Sequence, residues 1–142
     1  MQPDLISRLA NALNQIYRKL DLYQDENMQI NPKEQLFLML VEESGPCRVK
    51  DIACRVSLPL STVSWTIDRM VEKGYFKRRE DPNDRRAVIL ELDGRGRKAM
   101  AKFHETFQNL AQAASSLLDE AQFLSILSMI ENLANSFGAK ER

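Results

Sequence analysis

The 142-residue sequence predicts a mainly α-helical protein that carries one small β-hairpin. Apolar residues recur at helical spacing through most of the chain and make up 44% of it, which is enough for a core of moderate size. Residues 75–92 break this pattern with two β-prone runs, 75–79 and 87–92, on either side of a polar, turn-rich stretch. A chain of this length buries a core without disulfides or metals, so we predict a single domain over residues 1–142.

The first two helices are predicted from an amphipathic stripe and from a start signal. Residues 4–26 place apolar side chains on one stripe. A second helix starts after Asn31, because Pro32 suits its first position and Glu34 stands where a capping box has its acid. That helix is expected to end near Glu43, before a Ser-Gly-Pro sequence.

The segment after this helix has the outline of a winged helix-turn-helix, which we assign to residues 31–92. A short helix from about Val49 is broken at 57–59, since proline disfavours a helical residue before itself. A second helix over about 60–73 stops at Gly74, which tolerates the left-handed conformation. The hairpin that follows is the wing, with residues 80–86 expected to form a long exposed tip.

The terminal segments are predicted to dimerise the chain. Asp93 is expected to cap a long helix that runs to Leu118, and Asp119 to start the last one. The apolar stripes of segments 1–30 and 93–142 exceed what the central unit can bury, so a partner subunit would cover them. The alternative is that each helix lies on its own core.

Charge is distributed unevenly although the net charge is zero. Residues 46–98 hold 13 lysines and arginines against 8 aspartates and glutamates, so the basic excess lies in the winged unit. This favours a nucleic-acid partner, although a solvated face gives the same asymmetry. No apolar run approaches the roughly 18 residues of a membrane span, and the N-terminus does not resemble a signal peptide, so we expect no membrane association and a cytoplasmic location.

Three sequence blocks resemble the signature of the MarR family of transcriptional regulators: D-R-M-V-E-K-G-Y-F-K-R at 68–78, D-P-N-D-R-R at 81–86 and L-D-G-R-G-R at 92–97. The resemblance implies a homodimeric regulator without a cofactor that binds double-stranded DNA at a pseudo-palindromic operator. It also implies a repressor that responds to a small-molecule effector or an oxidant. The alternative is a winged-helix protein-interaction module or antirepressor without specific DNA binding.

The second helix of the helix-turn-helix supplies the candidate base-reading residues, because short polar and bidentate side chains read base edges in the major groove. They are Ser61, Thr62, Ser64, Trp65 and Arg69. Helix capping is the alternative role for Ser61 and Thr62. The alternative for Trp65, which stands where the family often has a basic or polar residue, is an indole folded back onto the hairpin.

The wing supplies the other DNA-binding candidates. Arg85 and Arg86 are expected at its tip, where guanidinium groups enter minor grooves or bind phosphates. The resemblance places an Asp-x-Arg element on Asp84 and Arg86, with the acid orienting the arginine. A solvated charge cluster is the alternative. Candidate phosphate contacts are Arg48, Lys50, Arg55, Lys77 and Arg79.

Enzymatic and metal chemistry have little support in the sequence. His104 is the only histidine and has no catalytic motif around it, so we expect no enzyme and no catalytic residues. Cys47 and Cys54 lack further ligands for a metal site. Cys54 is expected in the core, and Cys47, beside Arg48, is the better candidate for an oxidant sensor.

A ligand site is implied only by the resemblance, since many members of the family bind small, often aromatic, acids near the junction of dimer helices and DNA-binding lobes. Tyr17, Phe37, Phe103 and Phe107 would line such a crevice. The alternative is that these aromatic residues are core.

Overall fold

A computed structural model describes residues 2–22 and 29–138. Within these residues it contains six helices and one hairpin, which confirms the mainly α fold with a β wing. The elements are α1 (Pro3–Leu22), α2 (Pro32–Ser44), α3 (Val49–Val56), α4 (Leu60–Glu72), β1 (Phe76–Asp81), β2 (Asp84–Leu92), α5 (Gly94–Leu117) and α6 (Glu120–Gly138). The predicted end of the first helix, near residue 26, lies outside the described residues.

The predicted capping box starts α2. The Glu34 backbone N–H donates to Asn31 Oδ1 over 2.9 Å, and the Asn31 N–H donates to Glu34 Oε2 over 3.1 Å. The Glu34 carboxylate is buried and also accepts a hydrogen bond from Lys73 Nζ at 3.0 Å, just after α4. One acid thus caps α2 and connects its start to the end of α4.

Two left-handed residues shape the ends of α3 and α4. Ser57 ends α3 with φ of +53°, and Gly74 follows α4 with φ of +80°. The Gly74 N–H donates to the Val71 carbonyl and the next N–H to the Met70 carbonyl, so the helix closes and the chain turns into β1. The predicted role of Gly74 is confirmed.

The hairpin differs from the prediction at its tip. The strands pair antiparallel from Phe76 and Leu92 up to Asp81 and Asp84, so the connection is only Pro82 and Asn83. The expected long tip over 80–86 is therefore wrong. Asp81 is buried and its side chain holds the turn. Glu80 pairs with Val88 and Asp81 with Asp84, so the register shifts at this point and residues 85–87 are left without paired residues on β1.

The core of the first unit packs α2, α3, α4, the hairpin and the start of α5 around Phe37, Ile67, Tyr75 and Phe76. Gly96, in the first turn of α5, lies directly against this core. A Cβ on Gly96 would be 2.1 Å from the Tyr75 carbonyl oxygen. Glycine is needed there because α5 approaches the backbone at the base of the wing more closely than any side chain allows.

The chain divides into two compact units, one up to Phe103 and the other from His104, with the boundary inside α5. In the second unit Asp119 caps α6 as predicted, because its Oδ1 accepts from the Gln122 N–H over 2.8 Å. The single domain over residues 1–142 and the dimerising segments 1–30 and 93–142 stay predictions. No helix among the described residues is long and apolar enough to cross a membrane.

Candidate nucleic-acid interface

The helix α4 separates its side chains into a buried and an outward face. Val63, Ile67 and Met70 are fully buried and fix the helix on the core. Along the other side the predicted base-reading residues become accessible: Ser61, Trp65 and Arg69 are exposed, and Thr62 and Ser64 are half-buried. The core contacts therefore determine which polar groups this helix presents.

The first turn of α4 leaves its hydroxyl groups available. Pro59 is the N-cap residue, and no side chain caps this helix end. The capping alternative for Ser61 and Thr62 is thus not what the structure shows. Thr66 uses its hydroxyl internally, donating to the Thr62 carbonyl over 3.0 Å. The exposed Ser61 hydroxyl has no such internal acceptor among the described residues.

Trp65 and Arg69 form a stacked pair on the outward face. The guanidinium carbon of Arg69 lies 4.9 Å from the indole ring centroid, within the range of a cation–π contact. Trp65 is 61% exposed, so the indole does not fold back into a buried position on the hairpin. A large exposed aromatic side chain next to an arginine provides both apolar and bidentate hydrogen-bonding surface.

Ion pairs connect the wing to the helix-turn-helix. Arg78 on β1 pairs with Asp68 on α4. Within the hairpin, Lys77 Nζ and Arg79 Nε on β1 each lie 3.3 Å from a carboxylate oxygen of Glu91 on β2. Hydrogen bonding to Lys77, and then to Arg79, lowers the pKa of Glu91. The predicted phosphate contact Arg79 thus already shares an acid with Lys77.

Two acids organise the turn of the wing. Asp81 Oδ1 accepts from the Asn83 N–H over 2.9 Å, and Asp81 Oδ2 pairs with Arg48 Nη2, also at 2.9 Å. The backbone hydrogen bond from Asn83, followed by the Arg48 contact, lowers the pKa of Asp81, and the Asp81 hydrogen bond raises the pKa of Arg48. Sequence analysis missed this contact, because the two residues are 33 positions apart.

The predicted Asp-x-Arg element has a different contact from the expected one. Asp84 Oδ1 accepts from the backbone N–H of Arg86 over 3.0 Å, and Asp84 Oδ2 lies 3.8 Å from Arg48 Nη2. Arg85 and Arg86 themselves lie on β2, beyond the two-residue tip, and are exposed. Neither guanidinium has an ion-pair partner within the described ranges.

The helix-turn-helix and the wing agree with the comparisons with known proteins. A model of the MarR family matches residues 30–88. The HTH-type transcriptional regulator YkoM of Bacillus subtilis, itself described as uncharacterized, is 30% identical over 93 residues, 65% of this chain and 60% of that protein. The match to the family model assigns residues 30–88, the winged helix-turn-helix, to the MarR family. The alignment spans less than two thirds of YkoM.

Two further comparisons cover nearly the whole chain. The transcriptional repressor MdtR of B. subtilis is 24% identical over 144 residues, with 97% of this chain and 91% of that protein covered. The crystal structure of Streptococcus pneumoniae FabT in complex with DNA has a TM-score of 0.77 at 18% identity and covers 96% of this chain and 99% of that one. The fold is thus a winged helix-turn-helix. The similar proteins named here are described as transcriptional regulators, in agreement with the expectation of a regulator rather than an enzyme.

The environments of the two cysteines are the reverse of those predicted. Cys54 is exposed, so its placement in the core is wrong; α3 buries Ile52 and Ala53 and turns the next residue outward. Cys47 is half-buried, and burial raises the pKa of its thiol, with the Asp51 carboxylate acting in the same direction. A raised pKa disfavours the reactive thiolate, so this environment does not favour the predicted oxidant-sensor role of Cys47, which stays a prediction. Among the described residues no three His, Cys, Asp or Glu side chains group as metal ligands.

The four aromatic residues implied for a ligand site have contrasting environments. Phe37 and Phe103 belong to the buried core of the first unit, which agrees with the core alternative. Tyr17 and Phe107 are 61% and 52% exposed. Their role in binding an effector stays a prediction.

Proposed function

We propose that this MarR-family regulator is a homodimeric repressor that binds a pseudo-palindromic operator in double-stranded DNA. The observation that carries the proposal is the outward face of α4, where Ser61, Ser64, Trp65 and Arg69 are accessible on a helix whose opposite face is locked in the core. A helix held in this way presents a defined pattern of donors, acceptors and apolar surface to a major groove.

In this proposal α4 reads base edges and the wing binds the neighbouring backbone or minor groove. Arg69 would donate to a guanine or a phosphate, and the Trp65 indole would contact sugars or a thymine methyl group. Arg85 and Arg86, exposed and free of ion pairs within the described ranges, are the wing residues able to enter a narrow minor groove. Arg79 would add a phosphate contact in competition with Glu91.

Exposed apolar side chains on the terminal helices support a homodimer. On α1, in the first unit, Leu5, Leu9 and Leu13 are exposed along one stripe. On α6, in the second unit, further large apolar residues are exposed: Leu124, Leu127, Ile130, Leu133 and Phe137. Apolar surface of this extent is rare on a monomer and needs a covering partner. Two-fold symmetry would place two copies of α4 on successive major grooves.

Two of the similar proteins support a DNA-binding repressor. MdtR is named a repressor, and FabT has been crystallised with DNA. We extend both properties to this chain as part of the proposal, together with a cytoplasmic location. We also propose that a small molecule or an oxidant relieves the repression. This requires an effector that binds the DNA-free form more tightly than the DNA-bound form.

The experiment that tests this function selects duplexes from a randomised pool with the purified protein at two salt concentrations. We expect recovery of an inverted repeat with half-sites about one helical turn apart, and an affinity that falls steeply with salt. Recovery of no preferred sequence at either salt concentration would instead favour the protein-interaction module.

Two arginine variants sharpen the test on the recovered duplex. Arg86→Ala should weaken binding about tenfold or more, since an inserted guanidinium is lost. Arg18→Ala removes the same charge from the exposed surface of α1 and should bind like the native protein. Equal affinity of both variants would remove the wing from the mechanism.

The dimer is tested separately by light scattering on the native protein and on Leu127→Asp. A charge on the apolar face of α6 should shift the mass from dimer toward monomer. Asn132→Asp adds the same charge on the opposite, polar side of the helix and should leave the mass unchanged. A native protein that is monomeric at all concentrations would contradict the homodimer.

A further inference from the structure

Arg48 is an arginine of the helix-turn-helix whose guanidinium reaches the turn of the wing. Its backbone is fixed at the start of α3, where its N–H donates to Asp51 Oδ2 over 2.9 Å. Its guanidinium Nη2 lies 2.9 Å from Asp81 Oδ2 and 3.8 Å from Asp84 Oδ2. A single side chain therefore contacts the residue on each side of the two-residue tip.

Each of these carboxylates also holds the backbone of the turn with its other oxygen. Asp81 Oδ1 accepts from the Asn83 N–H, and Asp84 Oδ1 accepts from the Arg86 N–H. Arg48 is thus linked through two acids to the backbone at Asn83 and at Arg86. Charge-assisted contacts of this kind fix geometry more firmly than neutral ones.

A second connection lies immediately beside the first. The Cys47 N–H donates to the Leu90 carbonyl over 3.1 Å, and the Leu90 N–H donates back to the Cys47 carbonyl over 2.8 Å. The residue before Arg48 thereby forms a bridge on the outer edge of β2, at a fully buried position. The backbone bridge anchors the middle of the wing, and the Arg48 side chain anchors its tip.

We infer that Arg48 is a positioning residue for DNA binding: it holds the Asp81–Asp84 turn against the helix-turn-helix so that Arg85 and Arg86 project toward the duplex. The inference deepens the proposed function and rests on it. Arg48 also offsets the charge of two carboxylates that would otherwise repel phosphates beside those arginines. A direct phosphate contact, the role predicted from sequence, would have to use the other guanidinium N–H groups, because Nη2 already faces both acids.

A double-mutant cycle with Arg48→Ala and Arg86→Ala separates positioning from direct contact. The probe is the duplex that the native protein recovers from the randomised pool. We expect Arg48→Ala to weaken binding about tenfold in the native background and by a clearly smaller factor when Arg86 is already alanine, because one of the two positioned arginines is then absent. An equal factor in both backgrounds would overturn the inference.

Arg55→Ala is the matched control, since Arg55 lies at the other end of α3 and pairs with Glu43 at 3.1 Å, not with the wing. Whatever its own effect, that effect should be the same with and without Arg86. Salt dependence gives a second discriminator. A direct phosphate contact by Arg48 would lower the salt slope by about one in both backgrounds, and that result also overturns the inference.

Amide exchange in the DNA-free protein tests the positioning without any duplex. In Arg48→Ala the Asn83 and Arg86 N–H groups should exchange faster, while amides inside α4 keep their protection. Arg48→Lys keeps the charge but not the planar guanidinium. Its exchange rates at the Asn83 and Arg86 N–H groups should therefore lie between those of the native protein and those of Arg48→Ala. Unchanged exchange at Asn83 and Arg86 would overturn this inference and leave the proposed function in place. Failure to recover any duplex would overturn both the proposed function and this inference.

Discussion

Replacing Gly96 by alanine tests the closest backbone approach in the first unit. The added Cβ would lie 2.1 Å from the Tyr75 carbonyl oxygen, 3.1 Å from the carbonyl carbon and 3.4 Å from Leu38 Cδ2. Cβ contacts under 3.0 Å essentially do not occur, so α5 and the Tyr75 carbonyl must separate by at least the difference between 3.0 and 2.1 Å, about 0.9 Å.

The surroundings of Gly96 make that movement costly. Tyr75 and Leu38 are fully buried, and the Tyr75 carbonyl accepts a hydrogen bond from the Asp93 N–H at 2.9 Å. Overpacking a dense core costs about 1–3 kcal/mol, and a lost hydrogen bond adds about 1 kcal/mol. The higher helix propensity of alanine offsets up to about 1 kcal/mol of this loss in unfolding free energy. We therefore expect Gly96→Ala to lower the free energy of unfolding by about 2 kcal/mol.

The assay is urea unfolding at one fixed protein concentration, so that self-association shifts all variants equally. Gly94→Ala is the matched control, because its Cβ would meet no atom within 4 Å in the same first turn. That variant should match the native protein or exceed it by a few tenths of a kcal/mol. If Gly96→Ala is as stable as Gly94→Ala, the close contact between α5 and the base of the wing is refuted.

Three further predictions concern the wing, α4 and the start of α2. The pKa of Asp81 is lower in the folded protein than in the unfolded chain, so its contribution to the stability of the wing is present at neutral pH and is lost as the pH falls below about 4. The protection of the Asn83 amide relative to its intrinsic exchange rate should fall there, and in Asp81→Asn that protection should not depend on pH in this range. Trp65 is the only tryptophan, so its emission should change when the selected duplex is added, and an unchanged spectrum would remove the indole from the interface. Replacing thymine by uracil at the position that Trp65 contacts should weaken DNA binding by the native protein and leave DNA binding by Trp65→Ala unchanged. Equal losses of affinity in the two proteins would exclude a contact with the methyl group. Glu34→Ala removes the capping box and the Lys73 pair together, and should lower the free energy of unfolding by about 1–3 kcal/mol in urea, whereas a loss under about 0.5 kcal/mol would show that both contacts are replaced by water.

Features encoded over a few residues could be predicted from the sequence. The capping box at Asn31, the turn after α3 and the helix end at Gly74 all depend on neighbours within about four positions. The outward face of α4 followed from helical spacing alone, since burying Val63, Ile67 and Met70 leaves the intervening positions outside. The winged helix-turn-helix could be recognised because each of its elements carries such a local signal.

The order of the elements, the resemblance to the MarR family and the candidate base-reading face of α4 can all be derived from the sequence. The pairing of the charges cannot, because it depends on tertiary packing. The polar run at 80–86 has the composition of a loop, yet Arg48, 33 residues from Asp81, makes it part of a short, held turn. Cys54 likewise faces outward because of how α3 rotates on the core. Composition and spacing carry no record of contacts between distant segments, because those contacts arise only when packing brings the segments together.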